Sequence, residues 1–188
     1  DLFMPIIRAT EKLSDGKKYV PVMKNKETIA FRIIADHVRA ATFAINDGAL
    51  PSNVGRGYII RRLIRRATVM GRRLGIKHAF LYKLVPVVGK IMKDPYPEVY
   101  KNREYLAKVI HSEENSFNDT LADGLKLLKT ALNEVKSSDQ RMIPGKEAFK
   151  LYDTYGFPLQ LTAEYAHEQN LGVDAKGFKS EMKKQQNR

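Results

Sequence analysis

Apolar residues recur at intervals of three and four along nearly the whole chain, the period of an amphipathic α-helix, and no segment alternates convincingly as a strand would. Residues 1–13 (DLFMPIIRATEKL) predict a short amphipathic helix, stopped by Ser14-Asp15-Gly16. Ala30, Ile34, His37/Val38, Ala41 and Ile45 form the stripe of a stronger helix from about Glu27 to Ile45. A loop from Asn46 to Asn53, punctuated by Gly48 and Pro51, turns the chain. The next helix runs from about Gly57 to Leu74 and closes on Gly75, a suitable C-terminal glycine. A short apolar segment over 79–92 ends at Asp94-Pro95-Tyr96-Pro97.

Leu106, Ile110, Phe117, Leu121, Leu125, Leu128 and Leu132 then predict one long helix from about Asn102 to Val135. After a polar loop from Ser137 to Gly145 come a short helix near Lys146–Tyr152 and a turn at Asp153–Pro158. A further helix runs to Asn170 and is stopped at Gly172. Asp174 is placed to cap a last charged helix. The pattern predicts an all-α fold of two packed helical subdomains meeting near residue 100, with divisions at 1–24, 25–100 and 101–188. There is no internal repeat or low-complexity tract.

Composition changes the picture in one respect. The 188 residues are 43% hydrophobic and 29% charged, as expected of a folded chain able to bury a core. Lys and Arg number 33 against 21 for Asp and Glu, a net charge of +12. Such an excess points to nucleic acid, an anionic membrane or an acidic protein as partner. The absence of cysteine excludes disulfides, thiol catalysis and zinc sites that need Cys. No apolar stretch reaches membrane-spanning length and no secretory signal opens the chain, so a cytoplasmic protein is the simplest expectation. A start at Asp1 rather than Met suggests a piece of a longer protein.

The charge is concentrated. Residues 51–66 read PSNVGRGYIIRRLIRR, and Arg72 and Arg73 follow shortly. On a helical wheel Ile60, Leu63, Ile64, Ala67, Met70 and Leu74 share an arc of about 120°. Arg61, Arg62, Arg65, Arg66, Arg72 and Arg73 occupy the opposite arc of about 140°, as two columns. A solvated face would mix signs to gain i,i+4 pairs, yet no acid occurs between Leu50 and Lys93. Arginine also suits phosphate, because its planar guanidinium donates in bidentate fashion. The spacing therefore favours a polyanion-binding face over a solvated one. A membrane-surface helix fits less well, since the apolar side lacks Trp and Phe.

Other candidates for chemistry are weaker. His37 beside Asp36 lies on an apolar stripe, where a hydrogen-bonded core histidine is the commoner outcome. His111 and Glu114 share a helix face without a third ligand of matching spacing, so no metal site is expected. No phosphate loop, nucleophile elbow or kinase motif is present, and no catalytic residue is assigned. In YDTYGFP (Tyr152 to Pro158) a rigid turn would hold a carboxylate. Asp153 or Thr154 would either cap the helix beginning at Pro158 or, in the case of Asp153, accept from a base amine. Asn53, at the mouth of the arginine helix, is likewise either a turn residue or a reader of base edges.

IADHVRAATFAINDGALPSNVGRGYIIRRLIRRA, FLYKL, EENSF and LYDTYGFPLQLTAE together resemble the alanyl-tRNA synthetase family, over essentially the whole chain. The resemblance implies the helical tRNA-recognition region that follows the class II catalytic domain, with 1–24 as the connecting segment. It implies that Asn53 and Asp153 read a G·U wobble pair in the acceptor stem. Arg56, Arg61, Arg62, Arg65, Arg66, Arg72 and Arg73 would hold backbone phosphates. A wobble pair leaves the guanine exocyclic amine without its usual partner, a donor in the shallow minor groove of A-form RNA. The parent reaction would join alanine to tRNA with ATP and Mg in a catalytic domain. Zn would belong to an editing domain with His and Cys ligands. Neither set of motifs occurs here, so the chain alone is expected to be inactive. The alternatives are a helical DNA-binding or regulatory module, and a hydrolase using His37 or His111.

Overall fold

A computed structural model describes residues 1–187. It is all-α apart from two strands of two residues each. The elements are α1 (Met4–Leu13), α2 (Lys26–Asn46), α3 (Gly55–Arg73), α4 (Leu81–Ile91), α5 (Pro97–Lys101) and α6 (Arg103–Ser137). They continue with β1 (Met142–Ile143), α7 (Gly145–Tyr155), α8 (Leu159–His167), β2 (Gly172–Val173) and α9 (Ala175–Gln186). Two compact units result, Asp1–Asn118 and Asp119–Arg188, so the division falls inside α6 rather than near residue 100.

In the first unit α2 is the central element and packs against α1, α3, α4 and α5. It starts where the Asn25 side chain accepts from Thr28 N at 2.8 Å, an N-cap that satisfies one orphan donor of the first turn. Phe31, Ile34, Ile45, Ile64, Met70, Leu74, Phe80 and Leu84 are buried to within 2%. Each contributes about 1.5–3 kcal/mol by leaving water. The helix α3 ends as the spacing predicts, with Gly75 at φ +81°, a backbone geometry that costs glycine nothing. Gly71 gives the close approach of the Phe80 ring, whose Cε1 lies 2.3 Å from where a Cβ would stand.

The second unit holds two features that periodicity did not anticipate. Residues 142–143 and 172–173 pair as a parallel ladder, Met142 opposite Gly172 and Ile143 opposite Val173. The ladder continues as Asp174 N donates to Ile143 O at 3.0 Å. It thereby places Asp174, whose side chain accepts from Gly177 N at 2.9 Å and caps α9 as expected. The helices α7 and α9 meet at Gly145 and Gly177, where a Cβ on Gly145 would lie 2.3 Å from Phe178 N.

The YDTYGFP segment also departs from expectation. Asp153 lies within α7, not in a turn, and the chain reverses only at Gly156, at φ +70°. Neither Asp153 nor Thr154 caps the following helix: its N-cap is Pro158, without a side-chain cap bond. Phe157 is fully buried against Gly124, where a Cβ would stand 2.5 Å from the ring. Thr120 Oγ1 donates to Tyr155 O at 2.9 Å and ties the helix end down.

Candidate nucleic-acid interface

The two arginine columns of α3 have different surroundings. Arg61, Arg65 and Arg72 form the column that meets the N-terminal half of α6. Glu113, buried on α6, stands between the first two. Arg65 Nε donates to Glu113 Oε1 at 2.9 Å. Arg61 Nη2 donates to Oε2 at 3.5 Å, and its Nε lies 2.9 Å from Oε1. That last contact is electrostatic rather than directional, since Nε is buried without a hydrogen-bond acceptor in line. Arg65 also stacks its guanidinium on the Phe117 ring, 5.1 Å from the centroid. Arg72 Nη2 donates to Asn118 Oδ1 at 3.1 Å. Like charges that the α3 sequence leaves unrelieved are therefore balanced in part by a carboxylate about fifty residues away.

The second column is Arg62, Arg66 and Arg73. Arg66 Nη1 lies 3.1 Å from His37 Nε2, while His37 Nδ1 lies 2.8 Å from Asp36 Oδ2. His37 is thus a buried, hydrogen-bonded histidine on the α2 stripe, as its spacing predicts. Arg62 is half-buried, and its guanidinium forms no hydrogen bond or ion pair to another described residue. His111, the other candidate, lies against Tyr82 with ring centroids 4.1 Å apart. Among the described residues no group of three or more His, Asp or Glu could hold a metal ion.

At the mouth of α3 the run Asn53–Arg56 is exposed. Val54 is the N-cap residue and supplies no side-chain cap, so α3 begins uncapped beside the exposed Arg56. Gly55 takes φ +58° to make the entry. Asn53 Oδ1 accepts from Arg61 Nη1, so its amide is held to the helix instead of swinging free. In the second unit Asp153 is exposed, and its Oδ1 accepts from Gln185 Nε2 at 2.5 Å. Both residues singled out in the sequence are thus at the surface, each held by one long side chain.

One buried acid escaped the reading of the sequence as more than a weak metal candidate. Glu114 is fully buried and accepts from Phe80 N at 2.9 Å and Leu81 N at 3.1 Å. It caps α4 from another helix, since Phe80, the N-cap residue, makes no side-chain cap bond. Burial pushes its carboxyl up from 4.5 to about 7, against the two backbone donors and the Arg72 and Lys83 charges, which pull it down.

A family model described as tRNA synthetases class II (A) matches residues 1–188. The chain belongs to that family. Its curated relatives include the alanine–tRNA ligases of Lactobacillus johnsonii, 62% identical, and Ligilactobacillus salivarius, 59% identical. That of Lactiplantibacillus plantarum is 57% identical. Each similarity covers 100% of this chain and 21% of the relative, so the chain spans about one fifth of the ligases it matches. No helix among the described residues is long and apolar enough to cross a membrane. A basic helix without acids of its own, with an exposed, oriented amide at its entrance, can hold phosphate and present a hydrogen-bonding group beside it.

Proposed function

We propose that this chain is the part of an alanine–tRNA ligase that receives the acceptor stem of alanine-specific tRNA and reads a G·U wobble pair there. Asn53 and Asp153 are the base-reading residues. Arg56 and Arg62 hold phosphates, with Arg66, Arg72 and Arg73 completing the basic surface. Arg61 and Arg65, drawn to Glu113, shape that surface from within. The observation that carries this reading is the exposed Asn53 amide, held by Arg61 at the entrance of a helix flanked by no acid between residues 51 and 92.

The uncapped α3 N-terminus beside Arg56 adds a second reason, because a helix N-terminus and a guanidinium together suit a phosphate. In the whole ligase this segment would orient the tRNA 3′ end for alanine transfer, in a cytoplasmic enzyme. Holding reactants in place in this way is worth several kcal/mol in general. The ATP and magnesium of activation, and the zinc of editing, belong on this reading to parts of the ligase beyond this chain. The chain alone would then neither activate nor transfer alanine.

A salt series with an acceptor-stem RNA hairpin and a DNA duplex of the same sequence tests the reading. Affinity for RNA should fall steeply with salt, log K dropping by about 0.7–0.9 per phosphate neutralised for each tenfold rise. Asn53→Ala and Asp153→Ala should each lower the preference for G·U over G·C by about tenfold and leave G·C binding nearly unchanged. A preference for duplex DNA, with no response to either substitution, would replace the reading by that of a groove-binding regulatory module.

A further inference from the structure

We infer that Glu113 is a positioning residue for base reading: by clamping Arg61 it fixes the Asn53 amide in the orientation that meets the RNA. The inference rests on the reading of Asn53 given above. Its physical basis is a chain of contacts within the first unit. The Glu113 carboxylate is buried and stands 2.9 Å from the Nε atoms of both Arg61 and Arg65. Arg61 in turn donates from Nη1 to Asn53 Oδ1.

Arg61 and Arg65 are four residues apart on one helix face, an arrangement in which like charges repel. Without an acid between them the two guanidinium groups would separate, and Arg61, the more exposed of the pair, would move toward solvent. Arg65 has a second hold, the Phe117 ring, and Arg61 has none of that kind. Loss of Glu113 therefore acts mainly on Arg61 and, through it, on Asn53. An amide already held in place is not ordered at the moment of binding, so its whole hydrogen-bond preference appears as discrimination between base pairs. Glu113 touches no RNA in this account; it acts through another side chain.

Glu114 supplies a matched control. It is the next residue on α6 and is also buried, but its carboxylate serves the start of α4 instead of Arg61. Glu113→Gln should lower thermal stability. Only Glu113→Gln should reduce the ratio of affinities for G·U and G·C hairpins, by about tenfold, while Glu114→Gln keeps it within about twofold. In the free protein, NMR of the Asn53 side-chain amide should show it becoming mobile in Glu113→Gln and staying ordered in Glu114→Gln.

An unchanged ratio, or an Asn53 amide as ordered in Glu113→Gln as in the unaltered protein, would overturn the inference. If the unaltered protein shows no G·U preference, the base-reading proposal itself fails, which is a different result. Should Glu113→Gln not fold, Arg61→Lys keeps the charge and removes the fork. It should produce the same loss of ratio and the same mobile amide, and retention of both would overturn the inference.

Discussion

Replacing Glu114 by Gln tests the energetics of the first unit through pH. The carboxyl is fully buried, and its oxygens accept from the N–H groups of Phe80 and Leu81. Burial raises its folded-state value from 4.5 to about 7. In the unfolded chain the proton leaves near 4.5. Between those two values the unfolded state binds fewer protons than the folded state, so this group makes stability fall as pH rises. At about 1.4 kcal/mol per pH unit, the rise amounts to roughly 3 kcal/mol, fully lost above pH 7.

Glutamine cannot titrate, so the difference in unfolding free energy between the two proteins isolates the group. Urea unfolding followed by far-UV circular dichroism, from pH 4.5 to 8 at constant ionic strength, gives that difference. Near pH 4.5 the amide NH2 cannot accept from the second backbone N–H as a carboxyl oxygen can, so the Gln protein should be less stable there by about 1–3 kcal/mol. By pH 8 the difference should have moved toward the Gln protein by about 3 kcal/mol. A difference that stays flat with pH would refute the reasoning. One that grows in favour of the unaltered protein would show that the two backbone donors outweigh desolvation.

Two further substitutions separate tight packing from surface function. Gly145→Ala places a Cβ 2.3 Å from Phe178 N and 2.4 Å from Gly177 C, backbone that cannot yield locally, so thermal unfolding should show a loss of about 3 kcal/mol or more. Asp153→Ala removes an exposed carboxylate bonded to Gln185, and urea unfolding should change by no more than about 0.5 kcal/mol. A larger loss there would mean that Asp153 holds α7 and α9 in place, and its part in base reading would lose its support.

The legible features were those that depend on neighbours in sequence. Period and capping are local, so the stripe of α2, the Gly75 terminus of α3 and the Asp174 cap of α9 all follow from short windows. What escaped is set by partners far along the chain. The β1–β2 ladder joins two-residue segments thirty positions apart, too short for any alternation to show. Asp153 was expected in a turn because Gly156 and Pro158 follow it, yet the αL glycine ends α7 only after one more helical turn. The short α5, begun by Pro97, lay hidden in a stretch that reads as a loop.

The arginine helix shows both sides of this limit. Its two columns were visible on the wheel, and they do have separate environments. That one column is met by Glu113 and Asn118 was not legible, because those partners lie 46 to 52 residues away. A like-charged face lacking local acids is thus a signal of two possible remedies, an external polyanion or a buried acid on another helix. Here the buried acid serves Arg61 and Arg65.

The most direct measurement is the ratio of affinities of this chain for two acceptor-stem hairpins that differ only by G·U against G·C at the wobble position, at one fixed salt concentration. The account predicts tighter binding of the G·U hairpin by at least about tenfold, as one well-placed base contact provides. Equal affinities for the two hairpins would contradict it.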